Sequence, residues 1–302
     1  MTVCAVVVTH NRRELLEQCL SALRMQTRPP DEVLVVDNAS TDHTEALVFE
    51  RFSEVKLLRL GANEGGAGGF HAGMRAAYAR GFHWLWLMDD DTIPNPDALA
   101  RLLAALDRLD GLPRPALLAS HVVWRDGDLH PKNWPVPRVD ETRRTLVEAA
   151  GARLLLIRHA SFVSVLISRE SIGRHGLPHK HYFIWGDDVE FTARVLRDEA
   201  GYVVPDSVVE HRTPTKEPVV AGASPQYYFE LRNKLLMLRG DSWRRIEKPR
   251  MALETARAAR RYLEAAHFRP QAMVVVLRAV RDGLIQPVSA DSSRVPPAGA
   301  ND

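Results

Sequence analysis

Cysteine is almost absent from this 302-residue sequence, which holds only Cys4 and Cys19. One sits in an apolar run and the other on the apolar stripe of a helical pattern. Both read as reduced core residues, which excludes a disulfide scaffold and a cysteine metal centre. Long apolar runs are also missing: none approaches the ~18–20 residues of a bilayer-spanning helix. The N-terminus runs almost directly into Val3–Val8, without the basic region and cleavage pattern of an export signal. The expectation is a cytoplasmic protein. No internal repeat is present. Glycine is missing where a dinucleotide fold requires it, because the first strand is followed by Thr9-His10-Asn11-Arg12. Nicotinamide chemistry is thereby excluded. Net charge is small, +2, and no nucleic-acid partner is expected.

What is present is an ordinary globular composition, 45% apolar and 26% charged. The first hundred residues alternate strand and helix signals. Val3–Val8, Val33–Val36, Val55–Leu60 and Trp84–Met88 read as strands. Asn11 with Glu14 three residues on resembles a helix N-cap with a returning carboxylate. A further helix is predicted from Gly69 to Arg80, and another begins at Asn95-Pro96. This alternation predicts an α/β fold, a doubly wound and mostly parallel sheet. Leu117–Trp124, Phe162–Ser168 and Val208–His211 add strands. Residues 125–150 read as a loop excursion, and Asp187–Glu199 as a helix. The chain divides into a main unit, 1–224, with a mobile loop at 212–224. A helical C-terminal appendage follows at 225–286, then a disordered tail at 287–302. Residues 230–286 hold 13 Lys and Arg against 6 Asp and Glu, a surplus of +7. Arg257, Arg260 and Arg261 share one helix face, with Met273, Val274, Val276 and Leu277 as an apolar face nearby. Such a segment suits an anionic surface or a merely solvated helical face.

Chemistry concentrates at strand ends. Asp89-Asp90-Asp91 directly follows an apolar strand, where open α/β sheets bind ligands. Adjacent carboxylates repel unless a cation joins them, and hard oxygen ligands suit Mg²⁺ or Mn²⁺; a solvated acidic turn is the alternative. Asp37 also ends a strand and can accept hydrogen bonds from a base or ribose, while Ser40, Thr41 and Asp42 suit capping of the next helix. Asn63-Glu64-Gly65-Gly66-Ala67-Gly68-Gly69 lets the backbone approach a ligand and places helix amides beside a diphosphate; a tight turn would need the same residues. In Trp185-Gly186-Asp187-Asp188-Val189-Glu190-Phe191, three acids gather at a helix start. One of them can serve as a general base, or Asp187 can simply cap the helix. His211 closes a strand and gains interest from the metal site already implied.

These segments follow the order and spacing of a family that the chain resembles over about residues 2–215, the family-two nucleotide-sugar glycosyltransferases of the GT-A fold. More narrowly, it is similar to bacterial galactofuranosyltransferases and rhamnosyltransferases of cell-wall polysaccharide assembly. That likeness adds Tyr227-Tyr228 and Arg232-Asn233 to the Asp triplet and the Trp185–Phe191 segment. The resemblance implies an inverting, metal-dependent transferase. Thr9 and Asp37 would line the nucleoside pocket, with Asn11, Asn63 and Gly66 also on the donor side and Asp90 near the ribose. Asp89, Asp91 and His211 would hold Mn²⁺ or Mg²⁺ at the diphosphate. Asp188 would be the base, and Trp185, Asp187 and Glu190 would meet the acceptor. Asp187 stands where many relatives carry Glu, and His71-Ala72 follows Phe70 where relatives place Arg-Asn. The donor implied first is UDP-galactofuranose and second dTDP-rhamnose. The acceptor implied is a glycan, either free or polyprenyl-diphosphate-linked, and the linked form would bring the enzyme to the inner membrane face. A nucleotidyltransferase would carry a glycine-rich loop at the first strand, which is absent. A non-catalytic nucleotide-sugar-binding protein would not need Asp188 beside an intact triplet.

Overall fold

The computed structural model describes residues 1–138, 140–216 and 224–289. Its strands are β1 Val3–Thr9, β2 Glu32–Asp37, β3 Lys56–Arg59, β4 Trp84–Asp89, β5 Thr92–Pro94, β6 Pro115–Val123, β7 Val136–Pro137, β8 Leu155–His159, β9 Val165–Ser168 and β10 Ala200–His211. The helices are α1 Arg13–Arg24, α2 Thr44–Arg51, α3 Gly65–Ala79, α4 Ala98–Ala104, α5 Arg143–Gly151, α6 Arg169–His175, α7 Asp187–Val195, α8 Tyr227–Arg239, α9 Lys248–Ala265 and α10 Pro270–Ile285. One sheet runs β3-β2-β1-β4-β9-β6-β10-β8-β7, with β5 paired to β10. β1 to β4 are mutually parallel, and β9 enters antiparallel between β4 and β6.

Every residue of β1 is buried, as expected of a strand covered on both faces. Alternate side chains divide between two cores. Val3, Ala5 and Val7 pack with Leu16 and Leu20 of α1, Leu47 of α2 and Leu99 of α4. Cys4, Val6 and Val8 pack with Phe70 and Met74 of α3, Ile172 of α6 and Phe191 of α7. Both cysteines are free and buried. The strand order turns at β1, between β2 and β4. Thr9 and Asp89 therefore emerge side by side at the carboxyl end of the sheet, where doubly wound folds place ligands. β5 pairs with the end of β10, setting His211 opposite Thr92 and next to Asp91.

Several expected boundaries moved. Asn11 does not cap α1: its φ is +52°, Arg12 occupies the cap, and the Asn11 side chain instead accepts from the Thr41 amide. α3 begins at Gly65 rather than Gly69, and the fourth helix is preceded by Asp97 rather than Asn95. Residues 125–150 contain most of α5, capped by Thr142, and not only a loop. α7 ends at Val195, and Val208–His211 is the last part of a twelve-residue strand. Within the segments expected to be mobile or disordered, 217–223 and 290–302 lie outside the described residues. The C-terminal helices pack against one another, and Leu236 and Met237 of α8 pack with Ala67 of α3 and with Tyr182. Tyr227 stacks on Tyr262 at 4.0 Å, and Tyr228 donates to Asp282. No helix among the described residues is long and apolar enough to cross a membrane.

α3 lies so close to the sheet that a Cβ at Gly73 would stand 2.5 Å from Val6 Cγ1 and 2.8 Å from Val36 Cγ2. Gly73→Ala gains up to about 1 kcal/mol of helix propensity but forces an overpacked contact costing about 1–3 kcal/mol. The expected outcome is a lower urea midpoint, while Gly66→Ala, with open space around it, leaves the midpoint unchanged or raised.

Candidate active site

A cleft of about 680 Å³ opens at the carboxyl end of the sheet. It is lined by Thr9, Arg12, Asn63 and Gly66. Asp89, Asp90, Asp91 and His211 line it at the ends of β4 and β10, and Trp185, Asp187 and Asp188 line it at the start of α7. Segments separated by more than a hundred residues in sequence thus meet at one place.

The triplet is a crowd of carboxylates. Thr9 Oγ1 donates to Asp90 Oδ2 at 2.8 Å, and the Arg12 guanidinium bridges Asp90 Oδ1 at 3.2 Å and Asp91 Oδ2 at 3.0 Å. Burial, followed by the charges of Asp91 and Asp90, pushes Asp89 well above the ordinary carboxylate range. Asp90 is pushed up to about 7, chiefly by burial, with Arg12 pulling the other way. Burial acts on Asp91 too, but contact with His211 and the charge of Arg12 outweigh it and hold Asp91 below its usual value.

His211 Nε2 stands 3.2 Å from Asp91 Oδ1, yet that buried oxygen has no hydrogen-bond partner. The other ring nitrogen, Nδ1, is 2.8 Å from Asn133 Oδ1, an acceptor, so Nδ1 carries a proton. Nε2 then faces a carboxylate oxygen across a gap that requires a cation, either a second proton or a metal ion. Ligand atoms of Asp89, Asp91 and His211 all lie within 4.8 Å of one another. Two carboxylates and an imidazole oriented by an outer hydrogen bond fit Mg²⁺ or Mn²⁺.

Gly186 occupies the N-cap of α7 with φ +82°, so Asp187 is the first helical residue and not the cap. Asp187 is buried. Desolvation and then the Asp188 charge raise it well above the usual range. Asp188 keeps part of its surface open and accepts from the Val189 amide at 2.7 Å. Burial pushes it up to about 6, against the pull of the amides of Val189 and Phe162. A carboxylate with that affinity for protons is suited to accept one near neutral pH. Trp185 is 44% exposed, with φ +65°.

Three expected site residues do not line the cleft. Asp37 is fully buried; its Oδ1 accepts from the Ser40 amide, and Arg59 approaches Oδ2 at 3.7 Å. Asn11 ties the first loop to Thr41. Glu190 points into the protein, paired with Arg194 and bonded to Ser242, so it anchors α7 rather than facing an acceptor. Other cleft residues were not singled out from sequence: His10, Arg12, Asn38, Lys132, Asn133, Ser161 and Phe183. Arg12 carried a signal, as a cation three residues beyond a strand end. Asn133 carried none, because it reaches His211 from the loop between β6 and β7.

The model of glycosyl transferase family 2 matches residues 4–161. Galactofuranosyltransferase GlfT1 of Mycolicibacterium smegmatis is 34% identical over 209 residues, which is 65% of this chain and 65% of the relative. The N-acetylglucosaminyl-diphospho-decaprenol L-rhamnosyltransferase of Mycobacterium tuberculosis is 26% identical over 233 residues, covering 68% of this chain and 74% of that protein. The fold matches S. aureus TarS in complex with UDP-GlcNAc with a TM-score of 0.62 at 16% identity, over 94% of this chain and 81% of the other. The architecture is that of GT-A glycosyltransferases.

The His211–Asn133 contact makes metal affinity testable without turnover. In a Mn²⁺ titration followed by calorimetry with UDP present, Asp91→Asn and His211→Ala should each weaken metal binding tenfold or more. Asn133→Ala should weaken it about 10–100-fold by releasing the imidazole. An unchanged curve for His211→Ala would remove His211 from the metal set.

Proposed function

Because this chain belongs to glycosyl transferase family 2, we propose that it moves a hexosyl group from a nucleotide diphosphate to a hydroxyl of a glycan acceptor, with inversion. The observation that carries this reading is that Asp188 lines the same cleft as the clustered Asp89, Asp91 and His211. Galactofuranose from UDP-galactofuranose is the first donor, supported by the 34% identity to galactofuranosyltransferases. Rhamnose from dTDP-rhamnose is the second, supported by the weaker likeness to a rhamnosyltransferase. Residues 1–224 are taken as the transferase unit, and 225–286 as the segment that brings it to its acceptor.

The Gly66 amide in the first turn of α3 receives the diphosphate, since helix N-terminal amides favour anions and the amides of Gly65 and Ala67 already donate to Asn63 Oδ1 and Phe183 O. A Mg²⁺ or Mn²⁺ held by Asp89, Asp91 and His211 would offset the charge of the departing diphosphate. Trp185 offers an exposed ring face to a sugar of the acceptor. Asp188 orients the acceptor hydroxyl and takes its proton as the oxygen bonds to the anomeric carbon. The bond from that carbon to the diphosphate oxygen breaks, and its electron pair leaves with the nucleotide. A single displacement requires attack and departure on opposite faces of that carbon.

The test supplies the chain with each labelled donor, Mn²⁺ and a lipid-linked glycan acceptor, and reads the anomeric configuration of the product by NMR. Inverted product should form with one donor. Asp188→Asn should lower turnover about 10²- to 10⁴-fold and leave nucleotide affinity nearly unchanged. The base form of Asp188 dominates above its value of about 6. Wild-type kcat/KM should therefore fall tenfold per pH step below about 6 and level off above it. Turnover of Asp188→Asn within tenfold of wild type would rule out the base assignment, and product that retains configuration would rule out single displacement.

A polyprenyl-diphosphate-linked acceptor places the work at a membrane face. The relative that acts on a diphospho-decaprenol acceptor supports this, as does the outer stripe of α10, where Met273, Val274, Leu277, Leu284 and Ile285 are exposed. Val276 does not join them; it packs toward Tyr262 and Ala272. Arg257, Arg260 and Arg261 are exposed on α9, although Arg260 already pairs with Glu264. Each free cation near an anionic bilayer contributes about 1 kcal/mol. Co-sedimentation with liposomes should require anionic lipid and fall with added salt. It should also drop when the three arginines become Gln or when Leu277 becomes Ser. Equal recovery on neutral and anionic liposomes would leave α9 and α10 as packing helices only.

A further inference from the structure

The wall that carries Asp188 is built on unusual backbone. Phe183 has φ +63° and ψ −64°, and the Ile184 amide donates to the Tyr182 carbonyl at 2.7 Å. That is the rare, strained form of the γ-turn. Trp185 and Gly186 follow with φ +65° and +82°. Three of four consecutive residues are therefore left-handed, and two of them are bulky aromatics that favour other conformations. Such strain persists only where the surroundings over-determine it.

The surroundings are two adjacent residues of α8. Asn233 is 1% exposed, and its side-chain amide nitrogen lies 3.1 Å from Tyr182 O, 3.0 Å from Ile184 O and 2.6 Å from Trp185 O. Arg232 donates to His181 O at 2.9 Å and Tyr182 O at 2.8 Å. It also donates to Asn233 Oδ1, which fixes which end of the Asn amide faces the loop. Phe229 stacks on Phe183 at 5.1 Å. Neither Arg232 nor Asn233 lines the cleft. Both lie beyond residue 224, in the segment taken as an appendage.

We propose that Arg232 and Asn233 are positioning residues: they hold the His181–Trp185 backbone in its strained path and so aim Trp185 and Asp188 at the acceptor. The inference rests on Asp188 being the base. The donor side meets this turn at the start of α3, where the Phe183 carbonyl sits against Gly65 and accepts from the Ala67 amide at 3.1 Å, whereas Trp185 and Asp188 lie on the clamped segment itself or directly after it. Losing the clamp should therefore harm acceptor use more than nucleotide binding.

Asn233→Asp keeps the shape and removes the donors. Its steady-state kinetics, UDP affinity by calorimetry and urea midpoint are measured beside those of wild type and Asp188→Asn. The expected result is a loss of at least thirtyfold in kcat/KM for the acceptor, with UDP affinity within threefold. Arg232→Lys, which retains the charge and a donor but not the fork, should show the same split in milder form. It decides the matter if Asn233→Asp does not fold. Acceptor kcat/KM within threefold of wild type overturns the proposal. So does a loss spread equally over UDP affinity, acceptor use and stability, since that marks a residue needed only for folding. Asp188→Asn separates the two readings: if it retains turnover, the base assignment fails whatever the clamp variants do.

Discussion

Mutual repulsion among the carboxylates at the end of β4 is the constraint to which the rest of the site answers. Asp89, Asp90 and Asp91 leave the sheet together, and the fold brings cationic or donating groups to them from two elements. Thr9 and Arg12 come from the turn after β1, and His211 is carried in by the end of β10. β5 is only three residues long, yet its pairing with β10 sets the register that brings His211 to Asp91. Without that pairing the triplet would face Arg12 alone. Burial of acids at a strand end is costly, and here it yields a centre with a strong demand for positive charge at the place where a diphosphate would arrive.

The second group of acids solves a different problem. Under the proposed reading a base approaches an electrophilic carbon from the side away from the leaving group, and Asp188 shares the triplet's cleft from a separate element, the start of α7. Gly186 at the helix cap turns the chain sharply enough to begin α7 at Asp187. Asp188 is thereby half-buried at the cleft, while Asp187 beside it is buried. Two neighbouring acids thus receive different surroundings, and their proton affinities separate accordingly.

The doubly wound sheet was legible in the sequence because each buried strand is a continuous apolar run followed by a helical period. The strand-end acids were legible because polar residues directly after such runs have to lie at the sheet's edge. Other features resisted reading for physical reasons. β8 and β5 are short strands whose pairing partners lie far away in sequence, and local pattern does not encode them. Asp37 and Glu190 resemble ligand-binding residues in sequence, but the Ser40 amide, Arg59, Arg194 and Ser242 satisfy or approach them inside the protein. Arg232-Asn233 was noticed only through resemblance. Its target is a set of backbone carbonyls, and a carbonyl leaves no mark in a sequence.

Gly65 has φ +73°, and a side chain there would run into the carbonyl oxygen of Phe183. The glycine run and the γ-turn are therefore shaped against each other, although well over a hundred residues separate them. The two halves of the cleft are not interchangeable modules. A change of sugar donor that remodels the glycine run has to preserve the notch at Gly65. A change of acceptor that re-routes the turn has to leave its carbonyl in that notch. Diversification of one specificity is thus confined to paths that the other can tolerate, and a single missing Cβ records the dependence.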